Sequence, residues 1–358
     1  MKILSIVGVR PQYVKMSKIM SLLSKDPEVK HIIINTGQHY DYELAQSFFE
    51  NLNISDADYN LEVGSGSHAE QTAKGLLAME KIIIEHKPDC ILVVGDANST
   101  LTGALVAAKM NIPVAHIEAG LRSYNWEMAE EKNRILVDHC STFLFAPTEN
   151  AKNILLREGI SEEKIFITGD VTVDIIRNNI EKAKESEIIK NLKITGDFIL
   201  LTLHRPETTD YKEEMEKIFS TLSHHENIVF PIHPRTKKKL KEYKLEHYLE
   251  KMKVIDPLSY FDFLNLMLNC KLVITDSGGI QKEAFLVNKP CVTLRPQTEW
   301  IETAELGANI VTGSDPKKIN SAIKEMSKKE LNIEDNPYGI GKASERTIKI
   351  LKENLRGN

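Results

Sequence analysis

The chain alternates short apolar runs with longer segments in which apolar residues recur every three or four positions. In the first half the short runs predict buried strands, and the longer segments predict amphipathic helices. The predicted strands are residues 3–7, 31–35, 90–94, 114–117 and 143–146, and the main helices begin near residues 11, 69, 99 and 130. Strands that alternate with helices favour a parallel, doubly wound sheet.

The pattern changes at residues 169–191, a charged helical stretch, and then begins again. Six further apolar runs predict strands at residues 198–203, 228–231, 253–255, 272–275, 291–294 and 309–311. We therefore predict an α/β protein with two Rossmann-like domains facing across a cleft, at residues 1–170 and 193–342, with a connector at 171–192. A last helix, residues 343–356, has no strand after it and is expected to pack back on the first domain.

Composition narrows the class of protein. The 358 residues are 42% hydrophobic and 27% charged with a formal net charge of -5, which fits a soluble globular protein and gives no basic excess for nucleic acid. The cysteines Cys90, Cys140, Cys270 and Cys291 have no metal-binding spacing, and free thiols fit a cytoplasmic location. No apolar run has the length of a secretory signal or a membrane span. We expect no metal, no cofactor and no membrane partner.

The most informative segment is a glycine-rich turn after the predicted strand 272–275. The strand is followed by Ser277-Gly278-Gly279, and a helical pattern begins there. Glycines let a ligand approach the backbone, and the first amides of a helix are unpaired donors, so this geometry binds phosphate. Glu283, about one turn into the helix, is placed to bind sugar hydroxyls. The alternative is an ordinary turn in which the serine only caps the helix.

Cations and carboxylates follow the strands of the first half. Arg10 lies in the turn after the first strand, and Lys15 lies about one helical turn later. Two cations at a helix N-terminus oppose the helix dipole unless an anion lies between them, which points to phosphate; the alternative is solvated surface charge. Asp96 and Glu118 follow two later strands, where burial is costly unless the acids are paired or used. Glu130 opens a helix, where an acid is favourable in any case.

Two histidine–arginine pairs follow strands of the second half. They are His204 with Arg205, and His233 with Arg235. A single histidine is more often structural, but two such pairs at successive strand ends favour a role at the cleft. Neither GxGxxG after a strand nor GxxxxGK[ST] is present, which disfavours a nicotinamide dehydrogenase and a P-loop NTPase. These residues together predict an anion-binding cleft lined by carboxylates and histidines.

Nine short segments, spread in order over nearly the whole chain, add a family resemblance. They are GVRP, NTGQH, VVGDANST, HIEAGLR, AEEKNR, FITGD, LHRPE, DSGGIQKEA and NPYG. Together they resemble the non-hydrolysing UDP-N-acetylglucosamine 2-epimerases. The resemblance implies a glycosyltransferase-B-type fold, a homodimer, and interconversion of UDP-GlcNAc and UDP-ManNAc. In that reaction UDP leaves C1 as the C2 proton is removed, giving 2-acetamidoglucal, and UDP adds back as C2 is protonated from the other face.

The resemblance also implies roles for individual residues. Catalytic roles fall on Asp96, Glu118, Glu130 and His204, without deciding which carboxylate is the base. Substrate contacts fall on Arg10, Lys15, Phe263, Ser277, Gly278, Gly279 and Glu283. Phe263 is placed near the uracil by the resemblance, although a core aromatic is an equally simple interpretation. In relatives that their own substrate activates there is a second UDP-GlcNAc site, parts of which resemble Gln38, His39, Arg205 and His233.

Three departures from the family pattern leave the substrate and the second site open. Gln12 stands where the family usually has glutamate, Tyr40-Asp41 replace the usual residues after GQH, and Trp300 stands where many members have arginine. A related UDP-diacetamido-uronate is the alternative substrate. A glycosyltransferase on the same scaffold, a hydrolysing epimerase and a catalytically silent sensor of nucleotide sugars would also fit this fold, because fold does not determine function.

Overall fold

The computed structural model of the chain describes residues 1–37, 56–333 and 336–356. The chain divides into two compact units, Met1–Arg177 with Pro337–Asn358, and Asn178–Asn336. The division falls inside a helix, Val171–Lys184, so the charged segment that the sequence assigns to a connector is itself folded. Within the described ranges, no helix combines the length and the apolar character that crossing a membrane requires.

The first unit is built on a seven-stranded sheet in which all strands run parallel, in the order β3-β2-β1-β4-β5-β6-β7. Its strands are β1 (Lys2–Val7), β2 (Lys30–Asn35), β3 (Tyr59–Asn60), β4 (Cys90–Val94), β5 (Val114–Ile117), β6 (Phe143–Ala146) and β7 (Ile165–Ile167). Its helices are α1 (Arg10–Lys25), α2 (His68–His86), α3 (Asn98–Lys109), α4 (Ala129–Cys140), α5 (Glu149–Arg157), the first half of α6 (Val171–Lys184) and the terminal α15 (Ala343–Leu355).

The second unit contains a six-stranded parallel sheet in the order β10-β9-β8-β11-β12-β13. Its strands are β8 (Ile199–Thr202), β9 (Ile228–Pro231), β10 (Lys253–Ile255), β11 (Leu272–Thr275), β12 (Cys291–Thr293) and β13 (Asn309–Val311). Its helices are α7 (Ile188–Asn191), α8 (Pro206–Thr209), α9 (Lys212–Leu222), α10 (Pro234–Tyr243), α11 (Tyr260–Asn269), α12 (Gly278–Leu286), α13 (Ile301–Glu305) and α14 (Pro316–Met326).

The central strands are apolar at successive positions because helices cover both faces of each sheet. In β8, Leu201 packs with Phe219 of α9 on one face, while its neighbour Leu200 packs with Leu266 of α11 on the other. All four side chains are fully buried. The continuous apolar runs in the sequence are therefore strands between two helical layers. The predicted α/β class with two Rossmann-like sheets is confirmed.

The strand order determines which polar residues at the strand ends lie near one another. Both sheets have the Rossmann order, in which the direction of winding reverses beside the first strand of the unit. In the first unit β1 pairs with β4, and in the second β8 pairs with β11. The segments after β1 and β4 therefore share one edge of their sheet, and so do the segments after β8 and β11. These are the positions at which ligands of such sheets bind.

The terminal helix α15 is fixed to the first unit at its amino end. The buried carboxylate of Asp174 accepts hydrogen bonds from the amides of Ala343 (3.1 Å) and Ser344 (2.7 Å). A carboxylate at a helix N-terminus satisfies amides that the helix leaves unpaired. Further along, Glu345 pairs with Lys18 of α1 at 2.8 Å. The last helix thus completes the layer that begins with α1.

A half-buried histidine between α1 and the sheet makes folding sensitive to acid. His31 Nε2 lies 2.8 Å from Ser5 Oγ and its Nδ1 lies 3.2 Å from Ser24 Oγ. Burial lowers the pKa of His31 from 6.5 to about 4, although Asp58 opposes the change. Between those values the unfolded chain binds a proton that the folded chain does not. The contribution of His31 to the free energy of unfolding is therefore fully present above pH 6.5 and is lost as the pH falls towards 4.

We expect this one histidine to account for a loss of about 3 kcal/mol in the free energy of unfolding between pH 6.5 and 4. His31→Gln should remove that part of the pH dependence, because glutamine does not titrate. Urea unfolding of the parent chain and the variant at several pH values measures the difference. If the two curves of free energy against pH run parallel, His31 does not cause the acid sensitivity.

Candidate active site

The turn between β11 and α12 has the geometry of an anion site. Ser277 is the N-cap residue of α12, with φ -87° and ψ 124°, yet among the described residues its side chain makes no capping hydrogen bond. Its own amide donates to Thr275 Oγ1 at 2.9 Å. The simpler interpretation of the sequence, a serine that only caps the helix, is therefore not what the structure contains. The hydroxyl and the first amides of α12 are the kind of donors that bind an anion.

The two glycines of this turn differ in their surroundings. A Cβ on Gly278 would lie 3.2 Å from Glu299 Oε2 and 3.5 Å from Trp300 Nε1, so a side chain would have to displace a neighbour. A Cβ on Gly279 would meet nothing nearer than Ser277 Oγ at 4.0 Å. Packing within the chain therefore requires glycine at the first position only. The second is open on the side from which a ligand could approach the amides.

Buried cations lie behind the turn. Lys282 is 1% exposed, and its Nζ lies 3.9 Å from the centroid of the Trp300 ring, which is a cation–π contact. Arg295 is 2% exposed and binds both carboxylate oxygens of Glu299, at 3.0 and 2.8 Å. The departure from the family pattern at Trp300 thus has a structural role, because its ring fills the space between Gly278 and Lys282.

The ends of β8 and β11 are joined by a carboxylate that the sequence analysis passed over. Asp276 is fully buried and accepts hydrogen bonds from the amide of His204 (3.1 and 2.9 Å) and from that of Arg205 (2.8 Å). The His204 ring lies 5.4 Å from the ring of His233, centroid to centroid. Burial lowers the pKa of His204; Asp276 opposes the change, while Arg205 and His233 add to it. His204 is therefore held in place by its backbone and is neutral at pH 7.

The other residues predicted for the second unit have different settings. Arg235 binds the carboxylate of Asp210 at 2.6 Å and Thr209 Oγ1 at 2.9 Å, so its guanidinium has a structural partner. Phe263 is half-buried against the apolar cluster beneath α11, which favours its interpretation as a core aromatic. Glu283 is half-buried on α12. Burial of Tyr260 raises the pKa of its hydroxyl, and the negative charge of Glu283 raises it further.

In the first unit, a lysine and three carboxylates converge beyond the sheet edge. Lys15 of α1 forms an ion pair with Glu118, which is 5% exposed. Burial alone would lower the pKa of Lys15, but the charges of Glu118, Asp96 and Asp170 outweigh it and raise the pKa. Lys15 is therefore a fixed cation among carboxylates. The structure brings together the predicted residues Lys15, Asp96 and Glu118, and it adds Asp170, which the sequence analysis did not single out.

Two residues of this cluster's backbone, Gly95 and Glu118, have positive φ angles. Glu118 has φ +65°, a left-handed conformation that a side chain other than that of glycine, asparagine or aspartate rarely adopts. Gly95, directly before Asp96, has φ +67°, and a Cβ there would lie 3.6 Å from Glu118 Oε2 and 3.8 Å from Lys15 Nζ. Strain of this kind persists where the surrounding structure fixes the residue, and it is concentrated at active sites.

The pair Glu130-Glu131 at the start of α4 divides into two roles. Glu131 is 1% exposed and accepts from the amide of Ser123 (2.8 Å), the amide of Tyr124 (2.7 Å) and Arg134 (2.7 Å). Arg134 also binds Asp96 Oδ2 at 2.9 Å. Glu131 and Arg134 therefore fix the loop and orient Asp96, a function that the sequence did not reveal. Glu130 is half-buried in the first turn of α4.

Gln12 accounts for another departure from the family pattern. Its Oε1 accepts from the amide of Gly8 (2.8 Å) and from Ser99 Oγ (2.7 Å), and its Nε2 donates to Val94 O (3.0 Å) and Thr100 Oγ1 (2.8 Å). The side chain is 4% exposed. A carboxylate could not donate to the carbonyl of Val94, so an amide fits this site better than glutamate. Gln12 thereby ties the turn after β1 to the start of α3.

The remaining predicted residues lie at strand ends or outside the described ranges. Arg10 is the first residue of α1 and is exposed, at the edge where β1 and β4 end. Gln38 and His39, expected from the resemblance to be parts of a second site, lie outside the described residues. Arg205 and His233, the other two members of that group, lie at the ends of β8 and β9 in the second unit.

Comparison with known proteins identifies the family. The profile described as UDP-N-acetylglucosamine 2-epimerase matches residues 21–352. The Methanocaldococcus jannaschii protein named UDP-N-acetylglucosamine 2-epimerase is 47% identical over 363 residues, covering 98% of this chain and 99% of the relative. The chain belongs to the UDP-N-acetylglucosamine 2-epimerase family. The resemblance inferred from nine short segments is confirmed.

Two solved structures and a second relative are also similar to this chain. The crystal structure of the M. jannaschii enzyme in complex with UDP-GlcNAc and UDP has a TM-score of 0.92 at 46% identity, covering 99% of this chain and 100% of that one. A Pseudomonas aeruginosa relative named UDP-2,3-diacetamido-2,3-dideoxy-D-glucuronate 2-epimerase is 41% identical over 357 residues, 98% of this chain and 99% of its own. A Rickettsia africae glycosyltransferase, TM-score 0.58 at 17% identity over 100% and 99% of the two chains, shares the fold alone.

Proposed function

We propose that this epimerase-family chain interconverts UDP-GlcNAc and UDP-ManNAc by inverting the configuration at C2. The observation that carries the proposal is the match over nearly the whole chain to the M. jannaschii enzyme, whose crystal structure holds UDP-GlcNAc and UDP. The clusters around Lys15 and around the Ser277 turn support it, because they supply the two kinds of group that such a reaction needs.

The proposed chemistry is an elimination followed by an addition. The C2 proton of the intact sugar is not acidic, so its removal must accompany departure of UDP from C1, and the product is 2-acetamidoglucal. In the return step the UDP oxygen bonds to C1 again while a proton is delivered to C2 from the opposite face. One carboxyl group therefore accepts a proton, a second acid donates one, and neither UDP nor protons are consumed overall.

The candidate residues divide between binding the diphosphate and moving protons. The amides of Gly278 and Gly279, the Ser277 hydroxyl and the cation Arg10 bind the diphosphate and stabilise the charge it gains on leaving. The carboxyl groups exchange protons at C2; they are Asp96, Glu118 and Glu130. His204, whose pKa is lowered by burial, donates a neutral N–H hydrogen bond to the leaving group. Glu283 binds the ribose hydroxyls.

Incubation with UDP-GlcNAc alone in heavy water tests the proposal. Proton NMR should show the C2 signal of UDP-GlcNAc disappearing as deuterium enters, while UDP-ManNAc signals grow. Release of free ManNAc with UDP would indicate a hydrolysing enzyme, and release of UDP only after an acceptor is added would indicate a glycosyltransferase. UDP binding without any exchange at C2 would indicate a sensor and contradict the proposal.

A second substrate is favoured by one observation. The P. aeruginosa relative named for UDP-2,3-diacetamido-2,3-dideoxy-D-glucuronate is 41% identical, against 47% for the M. jannaschii relative. The same heavy-water assay with the two nucleotide sugars in parallel decides between them. The ratio of their kcat/KM values measures the preference.

We also propose a cytoplasmic homodimer. Leu77 and Ile84 of α2 are 66% and 57% exposed and lie two turns apart on one face, an apolar surface that a second copy would cover. Light scattering of the parent chain and of Leu77→Lys measures the oligomeric state.

Cys90, Cys270 and Cys291 are buried free thiols, as expected in a reducing compartment, and burial raises the pKa of Cys270 and Cys291 to about 12.

A further inference from the structure

A cluster behind Gly95 joins four ionisable side chains in the first unit: His116, Arg122 and Asp138 are buried, and Glu158 is half-buried. His116, on β5, is fully buried; its Nδ1 lies 2.7 Å from Asp138 Oδ1 and its Nε2 lies 2.8 Å from the carbonyl oxygen of Gly95. Arg122 lies 2.8 Å from Asp138 Oδ2, and its other nitrogens bind Glu158 at 2.8 and 2.6 Å. None of these four side chains contributes to the chemistry proposed above.

The two partners of the imidazole ring decide where its protons lie. A carbonyl oxygen only accepts hydrogen bonds, so the nitrogen that faces Gly95 must carry a proton. The opposite nitrogen faces a carboxylate whose second oxygen already accepts from Arg122 and from the amide of Gly120 (3.1 Å). Burial would raise the pKa of Asp138, but the charges of His116 and Arg122 lower it. An ionised carboxylate requires a proton on the facing nitrogen as well.

We propose that His116 is held as an imidazolium, protonated on both nitrogens, and that it is a positioning residue for the carboxylates Asp96 and Glu118. It acts on Asp96 through the carbonyl of Gly95, the preceding residue, whose φ of +67° it helps to fix. It acts on Glu118 through the strand, because Glu118 is two residues further along and has φ +65°. The role in catalysis rests on the proposed function, whereas the protonation state does not.

The count of charges supports the same conclusion. With His116 protonated, the cluster holds two cations, His116 and Arg122, and two anions, Asp138 and Glu158. With a neutral ring it would hold one uncompensated negative charge, which is costly at the fully buried Asp138, although Glu158 is 25% exposed. On the outer side of the cluster, the described part of the chain adds the titratable group His139, which lies 3.7 Å from Glu158 and is about half exposed.

Nitrogen NMR of the wild-type chain labelled with 15N-histidine reads the ring state directly. We expect both nitrogens of His116 to carry a proton at pH 7, because each faces a hydrogen-bond acceptor. His31, whose pKa is lowered to about 4, provides a neutral ring in the same spectrum. Assignment through the backbone of the wild-type chain needs no variant to fold. A His116 ring with one bare nitrogen at pH 7 would overturn the inference, whether or not the enzyme is active.

Kinetics of His116→Gln test the positioning role. Glutamine can still donate to the Gly95 carbonyl but has no charge, so kcat should fall about 100-fold while KM changes less than about threefold, as expected for misplaced catalytic groups. His31→Gln, the same change at a half-buried histidine outside the proposed site, should leave both constants near the parental values. If His116→Gln does not fold, Asp138→Asn should produce a neutral ring and the same loss of kcat. An unchanged kcat in His116→Gln, or in Asp138→Asn with a neutral ring, refutes the role, while an inactive wild-type enzyme refutes the proposed function instead.

Discussion

Glu118→Gln is expected to lower kcat for epimerisation about 1,000-fold while the affinity for UDP stays within about threefold of the parental value. The amide keeps the shape of the side chain but can neither accept nor release a proton at C2. Lys15 loses one of three carboxylate neighbours and keeps the charges of Asp96 and Asp170, so the cluster is weakened without being dismantled. The measurement is kcat by the heavy-water assay, with UDP affinity by calorimetry.

The chain offers a matched control for this variant. Glu345 of α15 pairs with Lys18, on the same helix as Lys15, but its side chain is 46% exposed and lies outside the proposed site. Glu345→Gln should therefore leave kcat near the parental value, since an exposed ion pair contributes little. Near-normal turnover in Glu118→Gln would remove Glu118 from the proton-transfer steps. Equal losses in both variants would point to a general effect of lost carboxylates on the first unit.

The central strands could be predicted from sequence because they are buried on both faces and therefore consist of continuous apolar runs. All six strands of the second sheet were predicted, with ends within a few residues of those in the structure, although the edge strand β10 has no buried position. The edge strands of the first sheet, β3 and β7, were missed. β3 has only two residues, no buried position and no apolar run. β7 is an apolar run of three residues with one buried position, and the sequence analysis did not assign it.

The candidate site shows the same division between local and long-range information. The turn at Ser277 was predicted because serine, glycine and helix start are adjacent in the sequence. The functions of Gln12, Glu131 and Arg134 were not, because each depends on a partner brought near by the fold; Gln12, for example, binds Thr100, 88 positions away. Asp276 could have been identified from the sequence, because an acid that directly follows a buried strand must be paired or used.

Gly279→Ala is expected to weaken UDP binding about 100-fold without lowering the melting temperature. An added Cβ meets no atom of the chain nearer than 4.0 Å, so the methyl group occupies only the space proposed for the diphosphate. The loss of one or two hydrogen bonds from amides to a charged phosphate costs about 2–3 kcal/mol, which corresponds to that factor. Alanine also favours the helical conformation over glycine, so stability should stay equal or rise slightly.

Gly278→Ala provides the contrasting control at the adjacent position. Its Cβ would lie 3.2 Å from Glu299 Oε2, and to relieve that contact the carboxylate must move away from Arg295, a buried cation that it binds through both oxygens. This variant should therefore lose about 1–3 kcal/mol of unfolding free energy, as expected for overpacking. Calorimetric titration with UDP and thermal unfolding of both variants separate the two effects. UDP binding at parental affinity in Gly279→Ala would place the diphosphate away from this turn, and with it the assignment of the leaving-group site would fail.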